Sequence, residues 1–381
     1  MRSVALIAAG ASNTESAVGA RIGAFASGLA RLGWRVELVD VTPPGPSRCQ
    51  DLIERRMPAK LRAVMDESGC EGDVMPSVWR HAKRRIQAVD ADVALVSVPP
   101  FSLLAAGALL PKRTALVLDY RDAWSARTRP HLLGRASRGV ERLLVRRADG
   151  VTFAGHPDLG ALMRKSLGIA SDRITWIANG LDPTDLDGIG PYEVNPTRSG
   201  APLDLVFAGH WYGRNGPGIL CDALARVGPG TARLTAIGSV SPSIERMLSA
   251  ASAGTHVCEA PKSRRELYER IAQADVAVVT MDYASAVESR IPAKVYDYVG
   301  VGIPVIAVCP PESGLLKIPE AAAFHHIGYQ DVDGLARLLR EAAADRTVLR
   351  SSPIDQQQCS RAVGVRALDA VLTTCIRRAG G

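Results

Sequence analysis

The stretch Glu288-Ser289-Arg290-Ile291-Pro292-Ala293-Lys294-Val295-Tyr296-Asp297-Tyr298-Val299-Gly300-Val301-Gly302-Ile303-Pro304-Val305-Ile306-Ala307-Val308 reads as loop, helix, tight turn and buried strand. Pro292 suits a first helical position, because its ring fixes φ near the helical value and its missing N–H is one that a helix start leaves unused. Gly300 and Gly302 supply the stop that releases Pro304–Val308 as an apolar strand. The unpaired N–H groups and positive dipole end of such a helix favour a phosphate, and Arg290 and Lys294 bring full charges beside it. Lys294 and Asp297, three residues apart, share one helical face. A cation at the helix start with a carboxylate one turn on suits a ligand with a phosphate end and a hydroxyl-rich end. The plainer reading of the pair is an exposed ion pair, with a contribution of about 0.2–0.5 kcal/mol.

Outward from that stretch, the rest of the chain alternates strand and helix. Val4–Ala9 is apolar throughout, Gly10-Ala11-Ser12-Asn13 and Gly19 punctuate a loop, and a helix-period stretch to Leu32 is closed by Gly33 before the strand Arg35–Val41. The glycines of this opening do not make G-x-G-x-x-G, so the fingerprint that calls for NAD is absent. After a polar excursion from Pro43 to Gly72 come a helix at Val78–Val89, the strand Asp92–Val98 ended by Pro99-Pro100, a helix to Leu110 and the strand Thr114–Leu118. Gly150–Ala154 and Arg173–Ile177 read as strands around a helix at Pro157–Leu167, and Asn179-Gly180 as a turn. Between Asp182 and Pro202 lie Pro183, Pro191, Pro196 and several Gly and Asp, a linker composition. A second series then opens with Leu203–Ala208 and continues through Leu234–Ile237, His256–Cys258, Val276–Thr280 and Ala322–His325. Helices are expected at Ser243–Ala251, Ser263–Ala272, Asp331–Leu339 and Arg361–Ile376. Such alternation predicts parallel, doubly wound sheets.

The chain's 381 residues suffice for two domains with separate cores, and 47% hydrophobic residues support a globular protein. Seven cysteines with no C-x-x-C are a poor disulfide framework, so reduced thiols in a cytosol are the simpler reading. The apolar start from Met1 to Ala9 reads as a buried first strand rather than a signal peptide, and no apolar run approaches the about 18 residues of a membrane span. A net charge of +7 suits phosphorylated substrates or a peripheral encounter with an anionic membrane, and is also ordinary for an arginine-rich chain.

Two turns carry further chemistry. Gly209-His210-Trp211-Tyr212-Gly213-Arg214 follows the strand Leu203–Ala208, where glycine lets backbone donors approach a pyrophosphate and Arg214 adds charge. Asp119-Tyr120-Arg121-Asp122-Ala123-Trp124 follows the strand Thr114–Leu118, so the carboxyl end of a parallel strand delivers Arg121 and Asp122 toward a ligand crevice. The bland alternative is an Arg–Asp pair capping the strand.

The run Ser289 to Tyr298, followed by Gly302-Ile303-Pro304-Val305-Ile306, resembles the donor-binding segment of GT-B glycosyltransferases, in particular retaining family 4. That family has a Pro-Ser-Lys-x-x-Glu-Tyr string before Gly-x-Pro-Val, and Asp297 stands where its Glu binds the donor ribose. Ser289 stands where the first of the paired acids is expected, with Glu288 one place before it. The resemblance implies two Rossmann-like doubly wound domains facing a cleft: residues 1–182 on the acceptor side, 183–202 as linker and 203–355 for the nucleotide-sugar donor. Residues 356–381 would form a terminal helix crossing back to the first domain. It also implies the site. Arg121, Asp122, Arg214 and Lys294 would take part in catalysis; Gly209, His210, Gly213, Lys262, Glu288, Ser289, Arg290, Ile291, Pro292 and Asp297 would bind the donor, with Gly10 and Gly19 in the N-terminal loop. Asn179-Gly180-Leu181-Asp182 is similar to the family's Asn-Gly-x-Asp at the close of the first domain, and the turn Glu259 to Lys262 falls where relatives place the nucleobase.

Asp-x-Asp occurs at Asp90–Asp92, Asp185–Asp187 and Asp331–Asp333, but these precede a strand, lie in the linker and start a helix. No metal and no cofactor are therefore expected, and the histidines lack H-E-x-x-H spacing. The favoured function is retaining transfer from a nucleoside-diphosphate sugar to a small-molecule, glycan or lipid-linked acceptor. The expected setting is the cytoplasm, with peripheral contact to the inner face of the membrane, and nucleic acid is not an expected partner. A non-catalytic nucleotide-sugar-binding subunit, motivated by Ser289, and a GT-B epimerase remain as alternatives.

Overall fold

A computed structural model describes residues 1–13, 16–42, 76–124, 132–189, 192, 201–211, 216–228, 230–252, 256–282, 290–318, 321, 323–349 and 360–380. The chain divides into two compact units, Met1–Asn179 with Arg361–Gly381, and Gly180–Ser360.

The first unit is a six-stranded, all-parallel sheet in the order β2-β1-β3-β4-β5-β6. Its strands are β1 (Ser3–Ala8), β2 (Arg35–Asp40), β3 (Val93–Val98), β4 (Ala115–Tyr120), β5 (Gly150–Phe153) and β6 (Ile174–Trp176). The near-continuous apolar runs of β1, β3 and β4 are buried at every position, as strands covered on both faces must be. One face is covered by α2 (Pro76–Gln87), the short α3 (Leu103–Ala106), α4 (Leu132–Val145) and α5 (Pro157–Leu167), around a core that includes Ile86, Leu104, Val145 and Leu159. The other face is covered by α1 (Ala17–Arg31) and the last helix, α11 (Arg361–Ala379). Ile22, Phe25 and Leu29 meet Val365, Leu368 and Leu372 over Leu6, Leu95 and Val117.

The second unit is another six-stranded parallel sheet, ordered β12-β11-β10-β7-β8-β9. Its strands are β7 (Leu203–Ala208), β8 (Ala232–Ile237), β9 (His256–Glu259), β10 (Val276–Thr280), β11 (Val305–Val308) and β12 (His325–Ile327). The helices are α6 (Gly218–Val227), α7 (Pro242–Ser252), α8 (Arg264–Ala272), α9 (Ala293–Val301) and α10 (Val332–Ala344). Ser263 and Glu266 close a capping box on α8, and Asp331 caps α10.

Several boundaries differ from the sequence reading. Strand β4 runs through Asp119 and Tyr120 rather than ending at Leu118, because both residues stay in register with β3, opposite Ser97 and Val98, and both are buried. Pro292 is the N-cap of α9 and not its first residue. Gly300 does not stop α9: it lies inside the helix, where a Cβ would come within 2.7 Å of Leu181, and the stop is Gly302 in the left-handed region. Gly19 likewise sits within the first turn of α1, not in the loop. The strand expected at Ala322–His325 is His325–Ile327. Helix α4 was not anticipated, since its arginines interrupt the apolar period. Within the stretch read as linker, Pro183–Leu186 forms a 3-10 turn that packs on α8 and α9.

Candidate functional site

In an open parallel sheet, ligands gather beyond the carboxyl ends of the strands where the winding reverses. In the second unit that point lies between β7 and β10. Strand β7 ends there in Gly209, whose φ of +101° excludes ordinary side chains. The Gly209 N–H donates to Ile237 O at 2.7 Å and the Gly238 N–H to Glu259 O at 2.9 Å, so the ends of β7, β8 and β9 are hooked in series. A Cβ on Gly238, itself at φ +136°, would stand 2.5 Å from Gly209 O. Tyr298 of α9 completes the frame: its buried hydroxyl accepts from the Ala208 N–H at 2.8 Å and fixes the helix to the strand end.

Lys294, in the first turn of α9, enters this frame. Its Nζ lies 3.5 Å from the centre of the Phe207 ring, and Phe207 also stacks on Trp211 with centroids 3.9 Å apart. A Cβ on Gly209 would stand 3.4 Å from the same Nζ, so the glycine leaves room for the lysine. Burial lowers the ammonium's pKa from 10.5 to about 7, although the Asp297 carboxylate works in the opposite direction. No salt bridge joins Lys294 to Asp297. Asp297 instead accepts on Oδ1 from the Arg264 guanidinium at 2.8 Å and from the Tyr268 hydroxyl at 2.9 Å. Its Oδ2 makes no hydrogen bond among the described residues, which leaves one oxygen for a ligand hydroxyl.

The remaining donor-side candidates separate into groups. Ile291 is buried, and Arg290 and Pro292 are half-buried at the α9 start. His210 is exposed, with Nδ1 2.9 Å from Ser239 O. Lys262 pairs with Glu259 at 3.1 Å, and Arg270 binds the same carboxylate at 2.8 Å. Burial raises the Glu259 pKa, but the hydrogen bonds from Arg270 and Lys262 outweigh it and hold the group below its ordinary value. Gly213, Arg214, Glu288 and Ser289 lie outside the described residues.

In the first unit the reversal lies between β1 and β3. Gly10, at φ +80°, donates its N–H to Thr42 Oγ1 at 2.7 Å. The Asp40 carboxylate takes the Ser12 and Thr42 N–H groups at 2.8 Å each. Burial would raise the Asp40 pKa, but these bonds and the Thr42 hydroxyl bring it to about 2. Gly19 gives its N–H to the Ser16 cap at 3.0 Å. Arg121 anchors the end of β3: its N–H bonds Val98 O at 2.9 Å and its guanidinium bonds Pro99 O. Asp122 is half-buried beside Trp124, whose ring stacks on Phe101.

The sequence reading missed the main polar centre here. Arg21 is 2% exposed and donates to both oxygens of Asp119, at 2.7 and 3.1 Å, while Ser97 and Thr152 supply two more hydrogen bonds to that carboxylate. Arg21 also donates to Ala178 O at 3.0 Å. A buried carboxylate with this full a complement keeps its charge: burial pushes the Asp119 pKa up, and Arg21 brings it below the ordinary value. Arg264 and Tyr268 were missed in the same way. An arginine on an otherwise apolar helix face is the only signal that either stretch of sequence offers.

Comparison with known proteins gives the following. The family model of Glycosyltransferase Family 4 matches residues 18–185, a little under half of the chain. No curated protein matches it in sequence. Among solved structures, the chain is similar to sucrose-phosphate synthase from Thermosynechococcus elongatus, at 16% identity and TM-score 0.61, over 98% of this chain and 97% of that one. It is similar to Anabaena Alr3699/HepE, solved with UDP and glucose, at 14% identity and TM-score 0.63, over 98% and 100%. A putative UDP-N-acetylglucosamine 2-epimerase from Listeria monocytogenes is 13% identical with TM-score 0.55, over 97% and 95%.

Proposed function

We propose that this chain, whose residues 18–185 match the model of Glycosyltransferase Family 4 and whose fold is similar to those of sucrose-phosphate synthase and HepE, is a GT-B glycosyltransferase that moves a sugar from a nucleoside diphosphate to an acceptor hydroxyl with retention of configuration. The observation that carries the reading is the Lys294 ammonium against the left-handed Gly209 turn, with an open Asp297 oxygen one helical turn away. The backbone donors at the start of α9, with Lys294, Arg290 and Arg214, take the diphosphate; Asp297 Oδ2 takes a ribose hydroxyl. As the bond from the anomeric carbon to the leaving phosphate oxygen breaks, negative charge grows on the diphosphate and these cations oppose it. The acceptor oxygen bonds to the anomeric carbon on the same face and passes its proton to a leaving phosphate oxygen. Asp122 and Arg121 are assigned to the acceptor side, and Glu288 or Ser289 to the donor sugar. The UDP and glucose of the HepE structure agree with a nucleotide-sugar donor.

The reaction is assigned no metal because two of the three Asp-x-Asp pairs have other work and the third, Asp185–Asp187, lies in the stretch read as linker. Asp92 accepts from Ser3, Asp90 pairs with Arg113, Asp331 caps α10 and Asp333 pairs with Arg226. A cytoplasmic setting is part of the proposal; no described helix is long and apolar enough to cross a membrane. Ser289 in place of an acid favours a second reading, a subunit that binds nucleotide sugar without turnover. The epimerase-like neighbour adds a third, in which the sugar would be altered and not transferred. Incubating the purified protein with a panel of nucleoside-diphosphate sugars, and following diphosphate release and product anomers by NMR, separates them. Binding of diphosphate with no release from any donor would replace the enzyme reading with the binding one.

A further inference from the structure

Helix α4 carries an outer face that is both basic and apolar. Arg135, Gly139, Val140, Arg142 and Leu143 are exposed on it, with exposed Arg146 directly after its last residue. Spacings of four, three and four place Arg135, Gly139, Arg142 and Arg146 in one stripe, and Leu143 lies beside that stripe, three residues from Val140. Leu143 is 65% and Val140 50% exposed, both large for apolar side chains on a folded surface. The only acid on the helix, Glu141, is buried, so no carboxylate of α4 offsets the arginines. Arg142 donates Nε to Ser166 O at 2.6 Å and is held in place, whereas Arg135 and Arg146 have no ion pair among the described residues. At the C-terminal end of α4 an open recess of about 390 Å³ is lined by Arg146, Ala148, Asp149, Asp172, Arg173 and Arg378. Its two carboxylates are already engaged: Asp172 with Arg378 at 2.7 Å, and Asp149 with the Leu116 N–H at 2.7 Å and with Arg147 at 3.5 Å.

We propose that this face of α4, with the recess beside it, docks on an anionic phospholipid bilayer. Arg135, Arg142 and Arg146 meet lipid phosphates, while Leu143 and Val140 enter the boundary between headgroups and acyl chains. The charge is complementary to such a surface, and the chain as a whole carries +7. The apolar pair tells against a nucleic acid, whose backbone rewards the arginines and gives nothing to Leu143. Exposed apolar residues beside an arginine stripe fit the boundary between headgroups and acyl chains better than a folded protein. The proposal stands apart from the donor-site reading, since nucleotide binding is measured without vesicles.

Flotation of the full chain with vesicles tests it, using phosphatidylcholine alone or with roughly a third phosphatidylglycerol. The expected result is flotation with the anionic vesicles only, weakening as salt rises. Arg135→Glu/Arg146→Glu should lower partitioning at least about 25-fold, at about fivefold for each arginine lost. Leu143→Ser, at a site too exposed to hold the core, should lower it severalfold while leaving thermal melting and nucleoside-diphosphate titration unchanged. Absence of flotation in the parent overturns the proposal, as does equal flotation of parent and Leu143→Ser. Retention of the parent on heparin without vesicle binding also overturns it, in favour of a soluble polyanion.

Discussion

Replacing Lys294 by methionine tests the donor-site reading most directly, because it removes a charge whose cost the fold already bears. In the unfolded chain the ammonium stays protonated up to about pH 10.5; in the folded chain its pKa falls to about 7. Between those values the unfolded state binds more protons, so stability rises with pH across that window, and the full penalty applies below pH 7. A displacement from 10.5 to about 7 sets a ceiling of about 5 kcal/mol on the penalty, at about 1.4 kcal/mol per unit. Lys294→Met should therefore be more stable than the parent at pH 6, with the gain fading toward pH 10. A bound diphosphate reverses the balance by restoring the ammonium. Above pH 7, binding should take up as much as one proton, and affinity should fall by up to about tenfold per pH unit. Loss of the charge-assisted contact in Lys294→Met should weaken diphosphate by about 10- to 150-fold, from about 1.5–3 kcal/mol. Calorimetry with UDP and GDP at pH 8, in buffers of different ionisation enthalpy, reads the uptake directly. Equal uptake in parent and variant, or none in the parent while diphosphate binds, would refute the reasoning.

Three further outcomes are expected. Arg264→Met strands the buried Asp297 carboxylate and should cost about 3–5 kcal/mol of stability, read by thermal melting; an unchanged melt would show the pair to be dispensable. Gly238→Ala should destabilise the second unit and weaken nucleotide binding, since φ +136° and a carbonyl oxygen 2.5 Å from the new Cβ leave no strain-free position; parent-like affinity would remove the strand-end hook from the argument. Turnover should survive EDTA, and its loss with rescue by manganese would bring a metal into the reaction.

Alternating apolar runs and turn residues made nearly every strand legible in the sequence, because strands buried on both faces leave few polar positions to confuse the period. The α9 segment was legible too, since helix start, cation, carboxylate and Gly-x-Pro turn are all local. What the sequence concealed is pairing over distance. Arg264 and Tyr268 reach Asp297 from about thirty residues away, and Arg21 reaches Asp119 across ninety-eight, so neither partnership leaves a local pattern. Lys294 with Asp297 looked like an ion pair from spacing alone; in the fold, the aromatic ring of Phe207 takes the lysine and Arg264 takes the aspartate. Gly300 read as a stop because glycine usually ends helices, whereas here it makes room for Leu181.

The place of α11 in the first unit bears on the order in which the protein takes shape during synthesis. The second unit is one continuous segment, Gly180–Ser360, but the face of the first sheet that α1 covers in part is completed by Val365, Leu368, Leu372 and Cys375 of the last helix. A ribosome adding about 5–20 residues per second needs roughly 10–40 s to travel from the end of β6 to that helix. Throughout that interval Leu6, Leu95 and Val117 lack part of their cover, and by its end the later-made unit has its whole sequence available. The half that begins first is thus the half completed last, and the nascent chain's exposure to chaperones and to aggregation falls on the first sheet.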